Sequence, residues 1–289
     1  MVIEFKALNP FLTEMGTSAG DNIKGIFANS SVNMIVNSFF LIYFLVERKK
    51  MILIFSTIII ILFTSYMSGI LCFMIAFAVF YLFNKNISVK LRIISLLSFI
   101  LFLFMFYILS VDNIIYSYSI LESIFTISPP RKVVSFLQTF EFLTSSAMHF
   151  FLGAAPGHFS SRVAFMAGGE FVDWFPSALS YKSIFFNKYH FQLWNYDVLS
   201  IPFNDGTANQ PFSVYNQILG EYGILGLISF FILYLKGLYK KIAQLPYSSL
   251  LMTSTLLYLF LDYWFEYFSC MIILEILILT LHKQLLKNG

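Results

Sequence analysis

Apolar residues in this chain fall in long runs separated by short charged clusters, and the runs predict helices of membrane-spanning length. A bilayer core of about 30 Å takes roughly 20 apolar residues as a helix. The first run, 31–46, stops at Glu47-Arg48-Lys49-Lys50. The next, 51–83, is apolar almost throughout. At ~1.5 Å per residue it measures about 50 Å, too long for one span. Its polar break, Thr64-Ser65-Tyr66-Met67-Ser68-Gly69, divides it into two antiparallel helices meeting near Ser65 to Gly69. A fourth run, 93–110, follows Lys85, Lys90 and Arg92, and a fifth, 213–235, ends at Lys236, Lys240 and Lys241. The last two, 248–262 and 266–281, flank an aromatic, acidic hinge and end at His282 and Lys283. The pattern predicts an all-α, polytopic membrane protein of about seven transmembrane helices.

Seven spans place the termini on opposite sides, and basic residues decide which side is which. Arg48, Lys49, Lys50, Lys85, Lys90, Arg92, Lys236, Lys240, Lys241, Lys283 and Lys287 share one face with Glu47. The other face carries Glu4, Glu14, Asp21, Asp112, Glu122, Glu141, Glu170, Asp173, Asp197 and Asp205. The expected topology is therefore N-terminus out and C-terminus cytoplasmic. Three regions follow: 1–110 with four spans, an external loop at 111–212, and 213–289 with three spans. So long a loop should fold on top of the helices. Within it Ser128-Pro129-Pro130 marks a helix start. Val133 to Phe151 is apolar enough to lie in the membrane interface. Trp174 to Asn204 is rich in Phe, Tyr, Trp and Asn and suits sugar stacking or packing against headgroups.

Composition removes the soluble alternative. With 58% hydrophobic and 11% charged residues, the chain cannot cover a water-facing surface. A net charge of +3 is too small to suggest nucleic acid. Cys72 and Cys270 are far apart and give neither a metal pattern nor a disulfide framework. No cofactor or metal is implied.

Few residues are left to carry chemistry. Arg48 and Arg92 belong to the cytoplasmic clusters, whereas Arg131 and Arg162 lie in the external loop. A guanidinium suits bidentate recognition of phosphate and stays charged. Arg162 ends the run Gly153-Ala154-Ala155-Pro156-Gly157-His158-Phe159-Ser160-Ser161-Arg162. The backbone N–H groups of such a turn can make an anion nest, with Gly157, His158, Ser160 and Ser161 as binding candidates. The plainer alternative is a salt bridge from Arg162 to Glu170 or Asp173. His149, His158 and His190 share the loop, and each alone is more often packed than catalytic. Asp262 and Glu266 have the i,i+4 spacing that puts two carboxylates on one helix face. Glu275 falls inside the last run, where a carboxylate normally faces a bundle interior.

The run Gln210-Pro211-Phe212-Ser213-Val214-Tyr215-Asn216-Gln217-Ile218-Leu219-Gly220-Glu221-Tyr222-Gly223-Ile224-Leu225-Gly226 resembles the signature of bacterial O-antigen polymerases and ligases. In that superfamily a short polar entry leads into a helix carrying Glu-x-Gly-x-x-Gly, here Glu221, Gly223 and Gly226. The glycine-rich run ending at Arg162 is similar to the family's loop, and Arg131 stands where an earlier external arginine occurs. Gly25 to Asn29 and Thr64 to Gly69 also look like family landmarks, though the latter lacks the family's arginine. Ligases typically carry a His where this chain reads Phe212-Ser213, which favours the polymerase branch. Such enzymes usually have more spans, so the expectation is a short member or a piece of a longer chain.

The resemblance implies a GT-C-like fold in the bacterial inner membrane with the large loop periplasmic. It implies polymerisation of lipid-linked O-antigen or capsule repeat units. A growing glycan would pass from undecaprenyl diphosphate to a sugar hydroxyl of a new repeat unit, without a metal. Arg131, Arg162 and Glu221 become the catalytic candidates, with Ser213 joining the substrate-binding set. Partners would be the lipid-linked oligosaccharides, membrane lipid, a flippase and a chain-length regulator. The competing readings are an O-antigen ligase, a transporter of lipid-linked sugars, and a non-catalytic subunit of envelope glycan assembly.

Overall fold

The computed structural model describes residues 8–14, 17–84, 87–124, 129–168, 176–193, 207 and 210–288. Glu4, Lys85, Ser128, Glu170, Asp173, Asp197, Asp205 and, of the aromatic stretch Trp174 to Asn204, positions 174–175 and 194–204 lie outside the described residues. Apart from one two-residue antiparallel pairing, Thr13–Glu14 with Thr17–Ser18, the regular structure described is helical.

Every apolar run forms a helix: α1 (Ser30–Val46), α2 (Met51–Phe63), α3 (Met67–Phe83), α4 (Val89–Leu109), and later the helices Val214–Ser229, Ser248–Leu261 and Phe268–Asn288. Among the described residues three helical stretches are long and apolar enough to cross a membrane, namely Arg92–Leu109, Val214–Ile242 and Phe268–Lys287. The other four are apolar but shorter. This is consistent with a helical membrane protein. The many exposed apolar side chains of α4, among them Leu97, Leu101 and Phe104, suit a hydrocarbon surround.

The chain divides into two compact units. The first contains residues 1–118, 238–258 and 268–289. Its α1 begins because Asn29 accepts the Val32 N–H at 2.8 Å, satisfying one orphan donor of the first turn. α1 packs along α2 and along α13 (Phe268–Asn288), while α3 packs along α4. The buried Tyr258 hydroxyl, on α12 (Ser248–Leu261), donates to Ser38 Oγ at 2.9 Å. The break between α2 and α3 falls where the polar run predicts it, and Ser65 takes a positive φ of 54°. Helix ends leave carbonyls and amides to satisfy, and here the N-terminal segment is drawn in. Ser65 Oγ donates to Pro10 O at 2.7 Å, and Gly20 N–H donates to the same oxygen at 2.9 Å. Gly20 has no space for a side chain, because a Cβ would fall on Ser65.

The second unit contains residues 119–237 and 259–267. α5 (Val111–Ser123) leads towards it, and its helices are α6 (Arg131–Thr144), α7 (Ala147–Leu152), α8 (Arg162–Ala167), α9 (Ile184–Lys188) and α10 (Val214–Ser229). α6 starts directly after Pro130, a residue suited to a helix entrance. Aromatic residues supply the core. Phe142, Phe159, Tyr189 and Leu219 pack in one cluster, and Phe165, Phe186, Phe212 and Tyr263 in another. Phe212 and Tyr263 stack with centroids 4.0 Å apart.

The run 213–235 is predicted as one continuous helix, and it is not. α10 breaks at Gly223, whose φ of 64° and ψ of −165° belong to a region open essentially to glycine alone. The carbonyls around the break find partners in the loop after α7. Gly220 O accepts from Ala154 N–H at 2.8 Å and Glu221 O from Ala155 N–H at 3.1 Å. The backbones meet so closely that glycine is needed on both sides. A Cβ at Gly153 would lie 2.5 Å from the Glu221 carbonyl carbon, and one at Gly223 2.5 Å from that of Phe151. Beyond the break the helix loosens to π-type turns over Phe230–Leu235, then tightens again as α11 (Lys236–Ile242).

Candidate functional site

The second unit gathers charged and polar side chains inside an aromatic shell. Its frame is the loop 153–162, and the loop is held from two directions by carboxylates. Glu221 lies on α10 just before the break and is 1% exposed. Its Oε2 accepts Gly157 N–H at 2.8 Å. Its Oε1 accepts Ser161 N–H at 2.9 Å, with Ser160 and Phe159 N–H at 3.3 and 3.4 Å. The turn is thus an anion nest, and the anion it holds is the chain's own carboxylate. Glu266, from the 262–267 turn, takes the next amide: its Oε2 accepts Arg162 N–H at 2.9 Å. Its Oε1 accepts from Gln217 Nε2, one helical turn before Glu221.

Asp262 and Glu266 do not share a helix face. α12 ends at Leu261 and α13 begins at Phe268, so the two acids occupy the turn between them. Asp262 Oδ1 accepts the N–H of its neighbour Tyr263 at 2.7 Å, a local side-chain bond that competes with helix continuation. The turn points its aromatics and acids into the second unit.

Two cations, Arg162 and Lys132, act on these acids, and a third, Arg131, lies elsewhere in the unit. The Arg162 guanidinium lies over the Tyr267 ring, 5.1 Å from its centroid. Lys132, on α6, is buried and donates to Phe212 O and, at 2.9 Å, to Leu261 O. It ties the entrance of α10 to the end of α12. Arg131 donates from Nη1 to Leu193 O at 2.9 Å. No described contact joins Arg131 to Arg162.

Burial governs the titration of the group. It pulls the Lys132 ammonium down to about 8, against the favourable field of Asp262. Burial pushes Asp262 up to about 6, opposed by the Tyr263 N–H, Lys132 and Arg162. Burial also pushes Glu266 up to about 7, with Glu221 adding to the rise and the Arg162 N–H and Gln217 opposing it. His190 is fully buried beside Phe159. Desolvation, helped by Lys132, holds its pKa down near 3, so the ring is neutral.

Several buried polar atoms here have no hydrogen-bond partner among the described residues: both His190 ring nitrogens, Ser160 Oγ, Asn216 Oδ1, Gln217 Oε1 and the Tyr263 hydroxyl. Buried polar groups are nearly always satisfied, by protein or by solvent.

The remaining residues singled out from sequence are placed as follows. Ser161 caps α8, its Oγ accepting Ala164 N–H at 3.1 Å. Ser213 Oγ donates to Leu259 O at 3.3 Å. His158 keeps Nδ1 2.8 Å from Pro156 O and sits edge-on to Tyr181. His149 stacks on Phe142, with Ser145 Oγ 2.8 Å from its Nδ1. The structure therefore brings Gly157, Ser160, Ser161, Arg162 and Glu221 together. Lys132, Gln217 and Tyr263 were not singled out by sequence, whereas His190 was named with His149 and His158 and proves to be packed, fully buried, against Phe159. For Lys132 a signal existed in its place beside Arg131, and for Gln217 in its spacing of one turn from Glu221. Among the described residues no group of three or more His, Cys, Asp or Glu could hold a metal ion. No family model, curated protein or solved structure matches the chain.

Proposed function

We propose that this protein is a membrane glycosyltransferase that polymerises lipid-linked polysaccharide repeat units, O-antigen or capsule, at the outer face of the bacterial inner membrane. The growing glycan would leave undecaprenyl diphosphate for a sugar hydroxyl of an incoming unit. The observation that supports this most is Arg162, laid on Tyr267 beside Asp262 and Glu266 in a chain with only 11% charged residues. Charges in an apolar protein are costly, and where they persist they mark function. A diphosphate leaving group builds negative charge as its bond breaks, and a fixed guanidinium stabilises that charge where it develops. Arg131 uses a single N–H on Leu193 and keeps its other donors for a second phosphate contact.

The transporter reading would draw on the break in α10, since transporters bind substrate at discontinuous helices. Here the Gly220 and Glu221 carbonyls at the break accept from Ala154 and Ala155, so they are occupied by the chain. That favours a fixed scaffold over an ion or substrate site. The test is complementation of a strain lacking its own polymerase, read as a ladder of glycan chain lengths. Single repeat units alone, with the protein present in the membrane, would overturn the proposal.

A further inference from the structure

The loop 153–162 is clasped by two carboxylates, and their circumstances differ. Glu221 is enclosed and both its oxygens face backbone amides, at Gly157 on one side and Phe159 to Ser161 on the other. It has no oxygen to offer a substrate. Glu266 accepts a single backbone amide, that of Arg162, and a single side-chain donor, Gln217. A carboxylate has capacity for about four such bonds, so Glu266 has lone pairs left over.

What surrounds Glu266 is unfinished in the same sense. Tyr263 is 2% exposed, its hydroxyl has no hydrogen-bond partner among the described residues, and it lies in the field of Asp262, Glu266 and Arg162. The Gln217 amide donates to Glu266 while its own Oε1 has no partner. An amide with an open acceptor is thus bonded to the Glu266 carboxylate, and a phenol with an open donor and acceptor lies within its electrostatic field. Sugar hydroxyls are both donors and acceptors, and they complement that set.

The geometry points to Glu266 as the general base of the transfer, with the Tyr263 hydroxyl and Gln217 Oε1 orienting the acceptor sugar. This rests on the polymerase reading above. In the step, the acceptor O–H gives its proton to the Glu266 carboxylate while its oxygen bonds to the anomeric carbon of the donor glycan. The carbon–oxygen bond to the diphosphate breaks, and its electron pair leaves with the lipid diphosphate beside Arg162. Glu266 then releases the proton to water. The groups facing Glu266 are Arg162, Glu221, Tyr222 and Tyr263, together with Asp262 of its own turn. Glu266, raised towards neutrality by burial, is matched to the pH at which a base must both accept and release a proton.

The alternative role is structural, since Glu266 also secures the first amide of α8. Two substitutions separate the roles. Glu266→Gln keeps an oxygen for the Arg162 N–H and cannot take a proton. Glu266→Ala removes both and opens a space in which formate can act as an external base. The full chain, reconstituted in liposomes, would be given undecaprenyl-diphosphate-linked oligosaccharide extracted from cells that carry the gene. Initial rates of ladder formation would be read from pH 5.5 to 9. The wild-type rate should rise through about pH 7. Both variants should fall by about 10²- to 10⁴-fold and lose the rise, and formate should restore the Ala variant but not the Gln variant. A Gln variant with the wild-type rate and pH profile overturns the base assignment while the polymerase reading stands. So does an Ala variant that stays inactive in formate. A wild-type protein that forms no ladder overturns the polymerase reading itself, and this assignment with it.

Discussion

The Oε1 of Glu221 lies 2.9 Å from the backbone nitrogen of Ser161, 60 positions earlier in the chain. With the Oε1 bonds to Phe159 and Ser160 and the Oε2 bond to Gly157, the loop's amides become a receptor for a carboxylate that never leaves. Removing that carboxylate leaves buried amides without acceptors. Glu221→Ala should destabilise the protein by about 3 kcal/mol or more, and Glu221→Gln, which keeps one oxygen, by roughly half as much. Thermal unfolding in detergent measures this, and an unchanged melting temperature for the Ala variant would show that the nest does not hold the loop.

A second expectation concerns glycine at the helix break. Gly223→Ala forces a side chain into a backbone region that disfavours it and against the Phe151 carbonyl. The strain and overpacking together should cost about 2–6 kcal/mol. Gly237, with nothing within 4 Å of where a Cβ would stand, is the control. Gly237→Ala should be neutral or stabilise by up to ~1 kcal/mol. Equal effects at the two positions would contradict the break.

The two acids of the 262–267 turn predict a pH dependence. Asp262 and Glu266 titrate at about 6 and about 7 when folded, above the usual values for an unfolded chain. Their contribution to stability is therefore complete below about pH 4 and is lost as pH rises through 6 to 7. After allowance for solvent screening it is on the order of 1–2 kcal/mol each. Asp262→Asn with Glu266→Gln should flatten the fall in melting temperature between pH 5 and 8. A fall of wild-type steepness in the double variant would refute the sign or the assignment.

For the diphosphate contact, Arg162→Ala should reduce chain-length ladders by about 10²-fold or more. Arg162→Lys should also impair them, because the ammonium keeps the charge and loses the planar fork. Arg131→Ala is expected to follow in the same direction. Full-length ladders from both Ala variants, at normal protein levels, would remove the guanidiniums from the chemistry.

Orientation has its own check. A reporter active only outside the cytoplasm should work when fused near Asp173 and fail when fused after Lys241. The reverse result would turn the basic-residue argument around.

The long apolar runs made the helices legible, since a run of apolar residues bounded by lysines has few other ways to satisfy its backbone. The break at Thr64 to Gly69 was legible for the same reason. The break at Gly223 was not. Glu221, Gly223 and Gly226 stood out as a motif, but hydropathy is uniform across them, and only the crossing backbone of Gly153 gives Gly223 its purpose. The site divided along similar lines. Arg162 and the Gly157 to Ser161 turn could be named because turn chemistry is local. That the nest would be filled by Glu221 could not, because the two are joined only in three dimensions. The Asp262 and Glu266 spacing suggested a helix, and tertiary contacts with Arg162 and Gln217 prevailed over that local period.

The clasp on the loop 153–162 also sets an order of events during synthesis. Ser161 leaves the ribosome 60 residues before Glu221, and Arg162 leaves 104 residues before Glu266. At roughly 5–20 residues per second, those gaps last about 3–12 s and 5–21 s. Through the first interval the loop has neither acceptor, its amides able to bond only to water, and for the remainder of the second it has Glu221 alone. The loop cannot mature as it emerges. It waits first for the broken helix and then for the final turn, so the last residue to lock the site in place is also the one proposed to work there.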